Sequence, residues 1–176
     1  MIALIRPATP LHTAWLAMAH EFDGAHIDGA GFIGRTVDEL ADAEIFADWV
    51  AETAAHERGE GVPPELVPAT LRWVVDDLQP KTLLGTISLR HQLNDYLRLE
   101  GGHIGYAVRP TARGQGVATT ALGLLLTECR VRGIDPVLVT CHDGNVASAR
   151  TIERQGGELQ DVIGEVRRYW VSSARR

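Results

Sequence analysis

Residues Val108 to Ala118, reading VRPTARGQGVA, constrain this chain more than any other stretch. An apolar run ends at Arg109-Pro110, glycines follow at 114 and 116, and a helical apolar stripe then runs through Ala118, Ala121, Leu122, Leu125 and Cys129. A strand that turns through glycines into a helix start gathers amide N–H groups at one spot, because first-turn amides have no acceptor within the helix. The spot sits at the positive end of the helix dipole, and glycine leaves the backbone open to a ligand. Arg113 adds a positive charge. The Gly-Lys-Ser/Thr ending of a Walker A loop is absent, as are the third glycine and downstream acid of the dinucleotide fingerprint. The residues alone therefore read as an anion seat at a helix start, or as a glycine-rich turn with no ligand.

The flanking periodicity gives a mixed α/β order, β-α-α-β-β-β-α-β-α-β-β, within one domain spanning 1–176. Strands are expected at 2–6, 69–76, 82–90, 103–109, 136–141, 158–163 and 166–172. Helices are expected at 10–22, 36–58, 114–131 and 146–155. Thr9 reads as a cap for the first helix, and Thr36 to Glu39 as a capping box for the second. The stripe of that second helix reads as Leu40, Ala43, Ala47, Val50, Ala51 and Ala54. A Gln79-Pro80 turn joins two strands, and 91–102 reads as a loop. The glycine-rich loop 23–35 is long enough to suggest a function.

Composition removes several alternatives. Acids outnumber bases 23 to 17, for a net charge of −6, which disfavours nucleic acid as a partner. No apolar run is long enough to span a membrane, and MIALIRPATP lacks a signal-peptide core, so a cytoplasmic location is expected. Cys129 and Cys141 show neither CxxC nor metal-ligand spacing, and read as buried thiols in a reducing compartment, with no metal. Trp15, Trp49, Trp73 and Trp170 read as packing residues, and Asp23, His26 and Asp28 as loop residues rather than a metal cluster.

Two motifs together carry a family resemblance. Arg113, Gly116 and Ala118, preceded by Val108 and Pro110, resemble the acyl-CoA-binding motif of the GNAT N-acetyltransferases, Arg/Gln-x-x-Gly-x-Gly/Ala. Asn145, Ser148, Glu153 and Gly156 resemble that family's second element. The resemblance implies a GNAT fold: a mixed, mostly antiparallel, twisted sheet of about seven strands, splayed between the fourth and fifth, with about four helices. It implies acetyl-CoA in the gap, its pantetheine arm along Tyr106, Ala107 and Val108. The pyrophosphate would rest on Arg113, Gly114, Gln115, Gly116, Val117 and Ala118, and Asn145 and Ser148 would lie near the reactive end. A homodimer is a common assembly in such a family. The run from Arg90 to Tyr106 is similar to a bacterial subgroup with no assigned acceptor.

The resemblance further implies acetyl transfer to a primary amine, of a small molecule in the leading reading, by direct attack and without an acyl-enzyme. A protein or peptide N-acetyltransferase and a non-catalytic acyl-CoA-binding module are the alternatives. An alkylamine is almost fully protonated at neutral pH, so a base must take its proton. Glu100, His103 and His91, near the start of the fourth strand, are the candidates, with His103 preferred. The family's usual proton donor to the leaving thiolate is a tyrosine where this chain has Ile152, which leaves water, the substrate, Tyr106 or Tyr169.

Overall fold

Alternating apolar residues build the sheet, and large apolar residues on both of its faces determine which helices cover it. In the computed structural model, which describes residues 1–32 and 34–174, the order is β1 (Ile2–Ile5), α1 (His12–His20), α2 (Ala43–Glu57), β2 (Ala69–Asp76) and β3 (Gln79–Arg90). There follow β4 (Ile104–Val108), α3 (Val117–Val131), β5 (Val137–His142), α4 (Val146–Arg154), β6 (Glu158–Ile163) and β7 (Val166–Val171). Ile33, in the expected loop 23–35, lies outside the described residues. The strands form one sheet in the order β1-β2-β3-β4-β5-β7-β6, antiparallel at every step but one. The exception is β4 beside β5, parallel, where the only register pair is Ile104 with Val139. The sheet is therefore open along most of β4, as the resemblance implied.

β2 shows how the two layers divide. Leu71, Trp73 and Val75 face one side and pack with Trp15, Met18, Phe46 and Trp49 of α1 and α2. Val74 faces the other and packs with Leu122, Leu125 and Ile152 of α3 and α4. Arg72 shares that second face, buried between Glu57 of α2 and Glu128 of α3 (Nη2–O distances 2.9 and 3.1 Å), and Arg132 also reaches Glu57 at 3.0 Å. Trp15, Trp49 and Trp73 are core, as expected, whereas Trp170 is half-buried.

Several boundaries differ from the sequence reading. The box between Thr36 and Glu39 forms, with Thr36 N donating to Glu39 Oε2 (2.8 Å) and Glu39 N to Thr36 Oγ1 (3.2 Å). It precedes only a 3₁₀ turn at Glu39–Ala41. Asp42 is extended and caps the true helix, accepting from Glu44 N (2.8 Å) and Ile45 N (3.1 Å). That new start turns Phe46 and Trp49 inward and leaves Ala43, Ala51 and Ala54 exposed, because two aromatic rings gain far more by burial than three methyl groups. Thr9 is not a cap; it lies in a 3₁₀ turn ahead of α1. The β2–β3 turn is Asp77-Leu78, since Asp76 pairs with Gln79 and accepts from Leu78 N at 3.1 Å. The loop 91–102 contains a π-helical turn at Leu97–Gly101.

Candidate active site

The opening between β4 and β5 is a cleft of about 860 Å³. Arg109 N donates to Leu84 O (2.9 Å), which fixes the alternation along β4. Gly105 and Ala107 turn their N–H groups to β3, and Tyr106 and Val108 turn theirs to the gap. Val108 O is already occupied by Arg113 Nε at 3.1 Å. An extended ligand with amide groups thus meets unpaired backbone at Tyr106 and at the Val108 amide.

At the far end of β4 the chain makes the turn read from the sequence. Gly114 and Gly116 adopt φ of 75° and 77°, in the left-handed region that glycine tolerates. Gly116 is the N-cap of α3, with no side-chain cap, and the amides of 114–118 have no acceptor in the protein. Arg113, Gly114, Gly116, Val117 and Ala118 line the cleft; Gln115 does not, and its Nε2 donates to Thr111 O at 3.2 Å. The Arg113 guanidinium lies 5.8 Å from the centre of the Phe22 ring. Glu21 fixes this seat from behind. Its carboxylate accepts from Arg109, from Thr111 N (3.2 Å) and from Thr111 Oγ1 (2.8 Å). The Arg109 guanidinium beside it holds the Glu21 pKa down at about 2. The unpaired amides of 114, 116, 117 and 118 along the cleft, two positive-φ glycines and a guanidinium are a fit for a diphosphate.

Asn145 and Ser148 also line the cleft. Asn145 Oδ1 caps α4 by accepting from Ser148 N at 3.0 Å. Ser148 Oγ lies 2.7 Å from the Tyr106 hydroxyl, and burial pushes the Tyr106 pKa up to about 12. Tyr169 is buried outside the lining, its hydroxyl donating to Glu153 at 3.2 Å, and Ile152 is core. Cys141 lines the cleft, with its thiol pushed up by burial; Cys129 is buried in the core, its pKa pushed up to about 12. Neither cysteine is in a disulfide.

The three expected bases separate. Glu100 lines the cleft; His91 and His103 do not. His103 is buried, and its Nδ1 accepts the Leu138 N–H at 2.9 Å. That bond leaves Nε2 as the protonated nitrogen, and burial pulls the pKa down to about 4. His91 Nε2 lies 2.8 Å from Thr70 Oγ1, and burial lowers its pKa as well. The preference for His103 rested on its position in the strand, which says nothing about which neighbour takes its ring nitrogen.

Loop 23–35, read from the sequence as long enough to have a function, supplies part of the wall opposite, through residues that the sequence reading did not name as site residues. Loop 23–35 is tied down: Gly29 O accepts from Thr86 Oγ1 (3.0 Å), Gly31 O accepts from Trp49 Nε1 (3.1 Å), and Ile27 and Ala30 are buried. His26, Asp28 and Gly29 thereby join the cleft lining, together with Arg90 and Tyr96. Strand alternation offered one signal, since Arg90 shares a face of β3 with Thr86. Among the described residues no cluster of acids, histidines or cysteines is arranged to hold a metal, and no helix is long and apolar enough to cross a membrane.

Comparison with known proteins agrees with this geometry. The family model described as an acetyltransferase (GNAT) domain matches residues 4–158. No match is found among curated protein sequences. Among solved structures, the chain is similar to the microcin C7 self-immunity acetyltransferase MccE in complex with acetyl-CoA and AMP. That likeness has 17% identity and TM-score 0.62, and covers 97% of this chain and 92% of that one. RimJ of Mycobacterium smegmatis, in complex with CoA-disulfide, gives 16% identity and TM-score 0.67 over 96% of this chain and 79% of that one. The ribosomal-protein-S5-alanine acetyltransferase of Vibrio fischeri gives 13% and 0.65 over 96% and 90%. These three likenesses are likenesses of fold, and the family match carries the assignment. The chain belongs to the GNAT acetyltransferase family, and it is an N-acetyltransferase.

Proposed function

We propose that the chain transfers an acetyl group from acetyl-CoA to the primary amine of a small molecule, by direct attack. The observation that carries this reading is the continuity of the cleft. One opening joins the helix-start amides of 114 and 116–118, the free backbone of β4, the Tyr106–Ser148 hydroxyl pair and the Glu100 carboxylate. Acetyl-CoA supplies the activated acyl group; the protein binds, orients and moves protons. Arg113 and the amides of 114 and 116–118 hold the pyrophosphate. Tyr106 and Val108 pair their backbone with the pantetheine amides, and a gap-facing amide of β4 stabilises charge developing on the thioester oxygen. Glu100, alone of the three expected bases in the cleft, takes the ammonium proton directly or through water. Ser148, backed by Tyr106, gives a proton to the leaving thiolate, the task that no residue at position 152 performs here. The protonated state of the Cys141 thiol favours direct attack over an acyl-enzyme.

A small acceptor fits a site walled by loop 23–35. The fold likeness to a ribosomal-protein-S5-alanine acetyltransferase favours a second reading, a protein N-terminus. The test follows thiol release from acetyl-CoA against a panel of small amines and of peptides with free N-termini. Turnover restricted to small amines supports the first reading, and turnover restricted to peptides replaces it. Tight acetyl-CoA binding with no turnover on either panel removes both and leaves a binding module.

A further inference from the structure

Three arginines of the cleft lining, Arg90, Arg150 and Arg154, are left unused by the cofactor reading; Arg150 and Arg154 are exposed, and Arg90 is half-buried. The Arg90 Nη1 donates to Gly101 O (2.8 Å) and Gly102 O (3.4 Å), which fixes the guanidinium plane. Among the described residues no protein acceptor meets its Nε or Nη2, and no carboxylate pairs with it. These nitrogens are not sealed in, because among the described residues the one fully enclosed side-chain polar atom without a partner is Trp73 Nε1. A half-buried cation is costly unless something neutralises it. The glycines beside it clear the approach. A Cβ at Gly105 would stand 3.3 Å from Arg90 Nη2, and one at Gly29 would stand 2.1 Å from Gly105 O. The Arg90 backbone pairs with His103, just before β4, so it lies at the end of that strand opposite the pyrophosphate seat. Asp28 and Glu100 share the lining with it.

Resting on the acetyl-transfer reading above, we propose that the acceptor carries an oxyanion close to its amine, and that Arg90 binds that oxyanion through its Nε–Nη2 edge. Two carboxylates for an ammonium and one guanidinium edge for an anion describe an amino acid or an aminoalkyl phosphate, rather than a plain alkylamine. The planar edge meets two oxygens at once, which gives direction as well as affinity. Arg90 is thus a specificity-determining residue, distinct from the groups that hold acetyl-CoA.

The experiment compares matched acceptors by thiol release from acetyl-CoA: the common amino acids, their carboxamides, the corresponding decarboxylated amines, and phosphoethanolamine beside ethanolamine. The intact protein should favour the anionic member of the best pair at least tenfold in kcat/KM, with the carboxylate and phosphate pairs showing which oxyanion is preferred. Arg90→Gln should erase that ratio, and Arg90→Lys should restore only part of it, while the Kd for acetyl-CoA measured by calorimetry stays the same. Equal rates for amino acid and carboxamide in the intact protein overturn the proposal even if the Arg90 variants do not fold. Turnover of plain amines with no preference would leave the acetyl-transfer reading standing and remove this one. If nothing turns over, calorimetry of the same pairs on the CoA-loaded protein decides it, and equal or absent binding of the anionic members overturns it.

Discussion

Leu138 donates its backbone N–H to Nδ1 of His103, and His103 donates its own backbone N–H to Leu138 O at 2.7 Å. A side-chain nitrogen here acts as a strand carbonyl at the only place where β4 and β5 meet. Protonating that ring breaks the bond. The folded pKa, about 4, is below the ordinary value near 6.5, so the stability that this residue contributes is complete above pH 6.5 and is lost as the pH falls toward 4. The loss should total about 3 kcal/mol. Urea unfolding between pH 4 and 7 measures it. His103→Asn, which keeps an acceptor but does not titrate, should flatten that dependence.

Glu21 ties the end of α1 to the turn that carries the anion seat. Glu21→Gln removes the charge from four hydrogen bonds and lets 109–113 shift. We expect acetyl-CoA to bind about threefold to tenfold more weakly by calorimetry, with a stability cost of about 1–2 kcal/mol. Unchanged affinity would show that the seat is held by its own backbone alone.

Gly29 touches the sheet where no side chain fits, and its φ of 68° already disfavours one. Gly29→Ala must lift loop 23–35 off β4. Acceptor KM should rise by about an order of magnitude while the Kd for acetyl-CoA changes little, since lost positioning acts on the reacting partner that the loop contacts. Steady-state kinetics beside calorimetry separate the two effects.

The ion cluster around Arg72 is a purely structural test case. Arg72→Met leaves Glu57 with Arg132 and Arg6 only, and Glu128 without its cation, at the junction of α2, α3 and β2. Chemical denaturation should report a loss of about 3–5 kcal/mol, the usual cost of removing one partner from a buried pair. Because Arg72 lies outside the cleft, the KM for acetyl-CoA should stay the same.

The sheet and the anion seat were legible in the sequence because both are written in local patterns. Alternation marked β2 at its full extent, and the two glycines marked the seat before α3. What was not legible depends on residues far apart in the chain. Nothing near His103 announces that Leu138, 35 positions on, takes its ring nitrogen. The start of α2 was misplaced because two capping signals, at Thr36 and at Asp42, compete within seven residues, and only the burial of Phe46 and Trp49 decides between them. The length of loop 23–35 marked it as functional, but which of its residues reach the cleft was not legible, because the loop has no period to read and tertiary hydrogen bonds to Thr86 and Trp49 give it shape.

The single register pair between β4 and β5 makes the sheet two blades joined at one rivet. A ligand lying in the gap acts as a splint between them. Any compound that binds there raises the melting temperature by mass action, in proportion to the logarithm of its concentration over Kd. The Tyr106 and Val108 amides, open to exchange in the empty blade, slow only when the splint is seated. Thermal shift and amide exchange at those two positions can therefore screen acyl-CoA analogues with no acceptor in hand.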